Sequence, residues 1–435
     1  MPHPFTFVLK KTIFKKKLKQ INNSIDLYNS NLSKNQIVQI QLKKFNLLWE
    51  KIQTENPFYI LWKEENKLPR KIFSIKEISE FPILNKEIIN DRKDLILKKK
   101  FSRTTYTGGT SGITTVFPTN NIESFNAYVT AYTGRMWWGI KPLSDILMLW
   151  GHSHLFESGY KGYLQKFLRK IKDGMINTCR ISSYDLSENN LIKFFDIINK
   201  RNPPTIISYS GNIFKLAKYM DENNLSFIFG KIKNIIITSE TLFEKDVKLV
   251  KKKIAHNVIN EYGMAETGVI GYSRQNTQDI NIFWNNFIVT HNENNNLFLN
   301  TLTSRAFPLI NYDTEDKIEP LLIKNSSILK IKQILGKTRN NLPIKLLNGT
   351  IVIISTIFFD HILKYLPHIY SVQYLIEDDI ITIILNTNKI VDIEKIRIKC
   401  INTIAENFGL PDESKIKIKI YKSSKTIAGK HSVFV

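Results

Sequence analysis

Residues 104 to 119 read TTYTGGTSGITTVFPT. Inside that run, Tyr106-Thr107-Gly108-Gly109-Thr110-Ser111-Gly112 holds three glycines and three hydroxyl residues in seven positions. Glycines let the backbone turn sharply and bring its N–H groups close to an anion. The hydroxyls of Thr107, Thr110 and Ser111 add donors, so this loop can wrap a phosphate. It is not a Walker loop, because no lysine follows the glycines and Val116-Phe117-Pro118 stands where that motif starts a helix. Turns rich in Gly, Ser and Thr are common in themselves, so the reading depends on what the rest of the chain brings to the loop.

From about residue 140 to 270, short apolar runs alternate with amphipathic segments. DILMLWG (145 to 151), PTIISYS (204 to 210), KNIIITS (233 to 239) and NVINEYG (257 to 263) read as strands. Asn212 to Met220 and Thr241 to Ala255 read as helices between them. That alternation predicts an α/β fold whose mostly parallel sheet is covered by helices. Between about 280 and 335 the texture changes to strands with polar turns, such as the Asn292 to Asn296 tract, which predicts an antiparallel or barrel-like subdomain. After about residue 340, IVIIS, YSVQYLI, IITIILN, a helix from about Val391 to Phe408 and the alternating KIKIKIY form a small α+β unit. The expected organisation is a helical region over 1–80, a large domain over 81–336 and a small C-terminal domain over 337–435, with Gly336 to Asn341 as the linker.

The chain has 435 residues, of which 43% are hydrophobic and 11% aromatic, the make-up of a globular protein. No apolar run reaches the roughly 20 residues of a membrane-spanning helix. The N-terminus puts Pro2 and Pro4 first and its lysines after a short apolar patch, the inverse of a secretory signal, so a cytoplasmic location is expected. Cys179 and Cys400 are the only cysteines, which argues against a disulfide framework or a cysteine zinc site. A formal charge of +23 would suit a nucleic-acid partner. However, the lysines are spread along the chain without interleaved stacking aromatics, so no nucleic-acid partner is expected. The densest cluster, Lys10, Lys11, Lys15, Lys16, Lys17 and Lys19, reads as a solvated helix face, with peripheral contact to an acidic membrane as the alternative.

Three further segments fall where a parallel sheet places its ligands. Glu261-Tyr262-Gly263-Met264-Ala265-Glu266-Thr267-Gly268 follows a predicted parallel strand, at the carboxyl edge. A carboxylate facing phosphates is repulsive unless a divalent cation lies between them. Glu266 therefore reads as a Mg²⁺ contact, or else as an exposed loop carboxylate. Ser239-Glu240-Thr241 ends the preceding strand and serves either as a nucleotide contact or as a helix cap. In Pro308-Leu309-Ile310-Asn311-Tyr312-Asp313-Thr314-Glu315-Asp316, Asp316 could accept two hydrogen bonds from a ribose diol. His152, His154 and Phe156 follow another strand, where they line an acyl pocket or sit as ordinary loop residues; no partner at ligand spacing supports a metal there.

Taken in order, these segments resemble the adenylate-forming (AMP-binding) enzyme superfamily, in its phenylacetate-CoA ligase-like branch and nearest to the capsular-polysaccharide-biosynthesis proteins. Phe81-Pro82-Ile83-Leu84-Asn85-Lys86 resembles the Pro-x-x-x-Lys lead-in of that branch. The resemblance spans about residues 80 to 435. It implies a large N-terminal domain, a small mobile C-terminal domain and an active site between them. By position, Thr107, Gly108, Gly109, Thr110, Ser111 and Gly112 would hold the ATP phosphates, with Thr107 also at the reacting centre, and Glu266 would meet Mg²⁺. Ser239, Glu240 and Thr241, with Glu261, Tyr262, Gly263, Met264 and Ala265, would flank the adenine and α-phosphate. Asp316 would bind the ribose, and Lys430, after Gly429, would be the catalytic lysine rather than one of many on a tail. Two positions depart from the pattern: Glu315 stands where a glycine is usual before the ribose aspartate, and Lys337 stands at the hinge where the family has arginine. Lysine keeps the charge and loses the bidentate fork.

The expected activity is ATP-dependent ligation: a carboxylic acid is activated as its acyl-adenylate, then transferred to coenzyme A or to an amine acceptor. The alternative is a nucleotide-binding protein of the same fold that has lost turnover through its hinge and turn changes.

Overall fold

The computed structural model describes residues 4–97, 101–106, 115–150, 171, 173–182, 188–238, 244–275, 277–320, 327–337, 341–355, 363, 369–377, 380–387 and 391–420. Three helices open the chain: α1 (Pro4–Asn29), α2 (Lys34–Glu55) and α3 (Pro57–Glu65). Local chemistry sets their ends. Ser33 and Gln36 close a capping box on α2, and Asn56 caps α3, whose first residue is Pro57. Trp49, Phe58 and Tyr59 of these helices are buried in one cluster with Phe81, Ile288, Phe307 and Tyr312. Two short helices, α4 (Lys86–Asp91) and α5 (Lys93–Leu97), lead to the antiparallel hairpin β1 (Arg103–Tyr106) and β2 (Val116–Thr119), and α6 (Asn121–Met136) follows.

The parallel strands are β3 (Ile146–Trp150), β4 (Thr178–Ser182), β5 (Thr205–Tyr209), β6 (Ile232–Thr238) and β7 (Ala255–Met264). They lie in the order β4-β3-β5-β6-β7, with α7 (Glu188–Arg201), α8 (Ser210–Glu222) and α9 (Glu244–Lys253) between them in sequence. Period-two alternation divides their side chains between two cores. Leu147, Ile206, Ile235, Ile237 and Val258 pack with Phe194, Ile213, Met220 and Val250 from the helices. Ile146, Ile207, Ile236 and Ile259 pack on the other face with Trp138, Tyr272 and Phe283. Thr241 to Ala255 was expected as one helix; α9 ends at Lys253, and Ala255 already belongs to β7, because the buried pair Ile254 and Ala255 enters the sheet.

The polar-turned region supplies β8 (Gly268–Ser273), β9 (Ile280–Ile282), β10 (Phe287–His291), β11 (Asn296–Thr301), β12 (Tyr312–Pro320) and β13 (Lys330–Lys337). As expected there, the described strands pair antiparallel with one another. They extend the parallel sheet from β7 in the order β8-β9-β13-β12-β11-β10, making one mixed eleven-stranded sheet. Each of the strands β8 to β13 pairs with at least one other, so among the described residues the polar turns join strands of this one sheet.

The C-terminal segment contains the hairpin β14 (Asn341–Lys345) and β15 (Ile351–Ser355), a three-stranded sheet of β16 (Ile369–Glu377), β17 (Ile380–Thr387) and β18 (Ile416–Ile420), and α10 (Ile393–Phe408). Its apolar residues form a cluster of their own, from Leu342 through Tyr374, Ile383 and Cys400 to Ile418. Among the described residues no helix is long and apolar enough to cross a membrane. In the lysine cluster, Lys17 Nζ lies 4.3 Å from the ring centroid of Tyr128 and Lys16 Nζ 5.8 Å from that of Phe125, so both cover aromatic residues of α6.

Candidate nucleotide site

Two of the segments singled out in the sequence, 261–268 and 308–316, lie among the described residues and touch through the side chains of β7, the β7–β8 turn and β12. Gly263 and Gly268 pinch the β7–β8 turn: a Cβ on Gly263 would lie 2.7 Å from the Gly268 carbonyl oxygen, and Gly268 has φ +75°. This close approach brings Glu266 into the protein, with only 7% of its surface exposed. The Tyr312 hydroxyl, at the start of β12, donates to Glu266 Oε1 at 2.9 Å. Phe117 of β2 meets the Tyr312 ring edge-on at 6.4 Å, so the stem of the glycine and threonine loop lies against the same tyrosine.

Asp316 is 6% exposed, and the Tyr262 hydroxyl of β7 donates to its Oδ2 at 2.7 Å. Burial, followed by the charge of Asp316, raises the Tyr262 phenol well above its ordinary value. Burial and then Glu266 do the same to Tyr312. Both tyrosines therefore remain neutral donors to carboxylates. The turn before Asp316 is left-handed at Glu315, φ +61°, the position where glycine is usual. Asp316 stands opposite Lys337 in the β12–β13 register, which puts the expected hinge residue beside the expected ribose carboxylate.

Glu261 is placed differently. Its carboxylate accepts a hydrogen bond from the Tyr272 hydroxyl on β8. Burial is the largest influence on the guanidinium of Arg135 in α6 and lowers it, but its neighbours Tyr272, Tyr132 and Glu261 together outweigh burial and leave it raised.

Two residues escaped the sequence analysis. Arg305, between β11 and β12, donates to the backbone carbonyls of Glu266 and, at 3.5 Å, Thr267. It also forms a buried ion pair with Glu123 of α6 at 2.9 Å. Burial lowers the Arg305 guanidinium, with Glu123 and Glu266 acting against that shift. Glu123 itself completes the capping box of α6: Asn120 Oδ1 accepts from Glu123 N, and Glu123 Oε1 accepts from Asn120 N and from Ala306 N. The N-terminus of the helix after the glycine and threonine loop is thereby tied to the Glu266 turn. The Asn-x-x-Glu spacing was legible as a cap, whereas its partner lies far along the chain.

Several expected residues lie outside the described ones: Thr107 to Gly112, Ser239 to Thr241, His152, His154, Phe156 and Lys430. Among the described residues no group of three or more His, Cys, Asp or Glu side chains could hold a metal ion.

No family model matches the chain. Protein CapK of Staphylococcus aureus is 25% identical over 324 residues, covering 71% of this chain and 69% of its own length. Among solved structures, 2-hydroxyisobutyryl-CoA ligase in its postadenylation state with 2-HIB-AMP superposes with a TM-score of 0.66 over 93% of this chain and 90% of that one, at 12% identity. The chain has the fold of the adenylate-forming ligases. The same ligase in complex with 2-HIB-AMP and CoA in its thioesterification state superposes with a TM-score of 0.55 over 90% and 87% of the two chains, at 13% identity. In this adenylate-forming fold the eleven-stranded sheet belongs to the large part of the chain and the cluster around Cys400 to the small C-terminal part.

Proposed function

We propose that the protein is an ATP-dependent ligase that activates a carboxylic acid as its acyl-adenylate. One observation carries the reading: two tyrosine–carboxylate pairs, Tyr262–Asp316 and Tyr312–Glu266, stand together at one sheet edge, and the stem of the glycine and threonine loop packs on the second pair. In this reading the loop residues Thr107 to Gly112 hold the ATP phosphates, Asp316 binds the ribose hydroxyls, and Ser239 to Thr241 with Glu261 to Ala265 flank the adenine.

The substrate carboxylate attacks the α-phosphorus in line. A new carboxyl-oxygen-to-phosphorus bond forms, the bond to the β-phosphate oxygen breaks, and pyrophosphate leaves with the electron pair. Two anions must meet, so positive charge and fixed donors are required where charge develops. Lys430 supplies that charge from the C-terminal domain, which turns at Lys337. Glu266 suits Mg²⁺, which usually takes one or two protein carboxylates and completes its shell with water and substrate phosphate. Bound there, Mg²⁺ would screen the phosphate charge.

The acyl group then passes to coenzyme A or to an amine. The likeness to a CoA ligase supports coenzyme A, and the likeness to CapK, with the sequence resemblance to capsular-polysaccharide proteins, supports a place in surface polysaccharide assembly. The test is ATP–pyrophosphate exchange across a panel of carboxylic acids. Exchange that depends on one acid class is expected. Nucleotide binding without exchange for any acid would reduce the protein to a nucleotide binder of the same fold.

A further inference from the structure

Glu315 is an unusual residue in its place. A non-glycine residue at φ +61° is held in a sparsely populated backbone conformation, and its carboxylate is also withdrawn from water. Its partner is Lys86: Nζ lies 2.8 Å from Glu315 Oε2, with side-chain exposures of 9% and 6%. A buried ion pair is costly to desolvate, and the loss of either partner leaves a charge inside the protein. Strain and desolvation therefore fall on one residue, immediately before Asp316.

Lys86 is equally fixed. It begins α4, whose cap is the Asn85 side chain accepting from Ile88 N. The segment before it is bonded to the β12 entry: Leu84 N donates to the Asn311 carbonyl at 3.1 Å, Asp313 N donates to the Leu84 carbonyl at 2.9 Å, and the Asn311 side-chain amide donates to the Phe81 carbonyl at 2.7 Å. These bonds stitch residues 81–84 to 311–313; the Asp313 and Thr314 side chains brace the turn from within and against Leu297, and the ion pair ties it to α4.

We infer that the Lys86–Glu315 pair is a positioning clamp that holds the 313–316 turn so that Asp316 meets the ribose hydroxyls. This rests on the ribose role proposed above for Asp316. Neither clamp residue touches the nucleotide; they act by fixing the carboxylate that does.

The test compares the dissociation constants of ATP and of its 2′-deoxy and 3′-deoxy analogues, measured by calorimetry on the full chain. Hydrogen bonds to a charged acceptor predict about 10- to 100-fold weaker binding of the deoxy nucleotides by the wild type. Lys86→Met and Glu315→Gln are expected to bring that ratio down to about threefold or less, whereas a merely stabilising pair would weaken all three nucleotides alike. The swap Lys86→Glu with Glu315→Lys is expected to recover the ratio, and it serves where a single variant fails to fold. A full wild-type ratio in folded Lys86→Met or Glu315→Gln overturns the clamp while leaving the ribose role intact. Equal binding of all three nucleotides by the wild type overturns the ribose role, and the clamp with it.

Discussion

The two halves of the large sheet follow different rules. In β3, β5, β6 and β7 most of the buried side chains are Ile, Leu and Val, joined by uncharged polar residues such as Thr205, Ser208 and Asn234, and no Asp, Glu, Lys or Arg of these strands is among the buried residues described. In β12 and the segment before it, the buried residues include Asn311, Thr314, Glu315 and Asp316, with Lys86, Glu123 and Glu266 around them. Burying charge is unfavourable unless it is paired, and here each carboxylate has a tyrosine, lysine or arginine partner. Both halves share an apolar core, and the antiparallel half adds a group of buried, paired charges, the kind of local exception expected at a functional site.

The largest expected effect breaks this contrast at its most connected point. Arg305→Met removes the cation from a pair whose side chains are 10% and 5% exposed and leaves the buried Glu123 carboxylate with backbone N–H donors on Oε1 and no counter-charge on Oε2. Removing one partner of a buried pair typically costs about 3–5 kcal/mol. Urea unfolding should report that loss, and a change below about 1 kcal/mol would mean that Glu123 finds a substitute partner. Lys430→Ala tests the chemistry instead. Loss of a charge-stabilising donor costs on the order of 10² to 10³ in rate, so pyrophosphate exchange should nearly vanish while the unfolding midpoint holds. Unchanged exchange would remove Lys430 from the mechanism. In the parallel half, Ile236→Val deletes one methyl group from a fully buried position and should cost about 0.5–1.5 kcal/mol with nucleotide affinity unaltered. A change in affinity there would show that the two halves are coupled.

The same contrast explains what the sequence disclosed. PTIISYS and KNIIITS announce β5 and β6 because every residue of β5 and nearly every residue of β6 is buried. The edge strand β4, Thr178–Ser182, was not singled out: TCRIS mixes polar and apolar residues, and those described are half-buried. At the site, Glu266 and Asp316 were readable as motif residues. Arg305 was not, because nothing local distinguishes it from the other basic residues; only the fold brings it to Glu123. Glu315 was visible as a departure from glycine, and the structure supplies its counterpart in Lys86, a residue noted only as part of the lead-in.

The smallest effect separates the large sheet from the C-terminal unit, which has its own core. Cys400 of α10 is fully buried in that core, and burial pushes its thiol up to about 12. The thiolate is the reactive form. Buried and held as the thiol, Cys400 is expected to be alkylated through opening of the C-terminal unit. Cys179 lies half-buried on the edge strand β4 and needs no such opening. Iodoacetamide labelling followed by mass spectrometry should therefore modify Cys179 first in native buffer. Cys400 should follow only as urea opens the small core, and if that core opens on its own this occurs below the main unfolding transition. Equal labelling of both thiols in native buffer would contradict the tight packing of α10, whereas labelling of Cys400 strictly with the global transition would join the two regions into one cooperative unit.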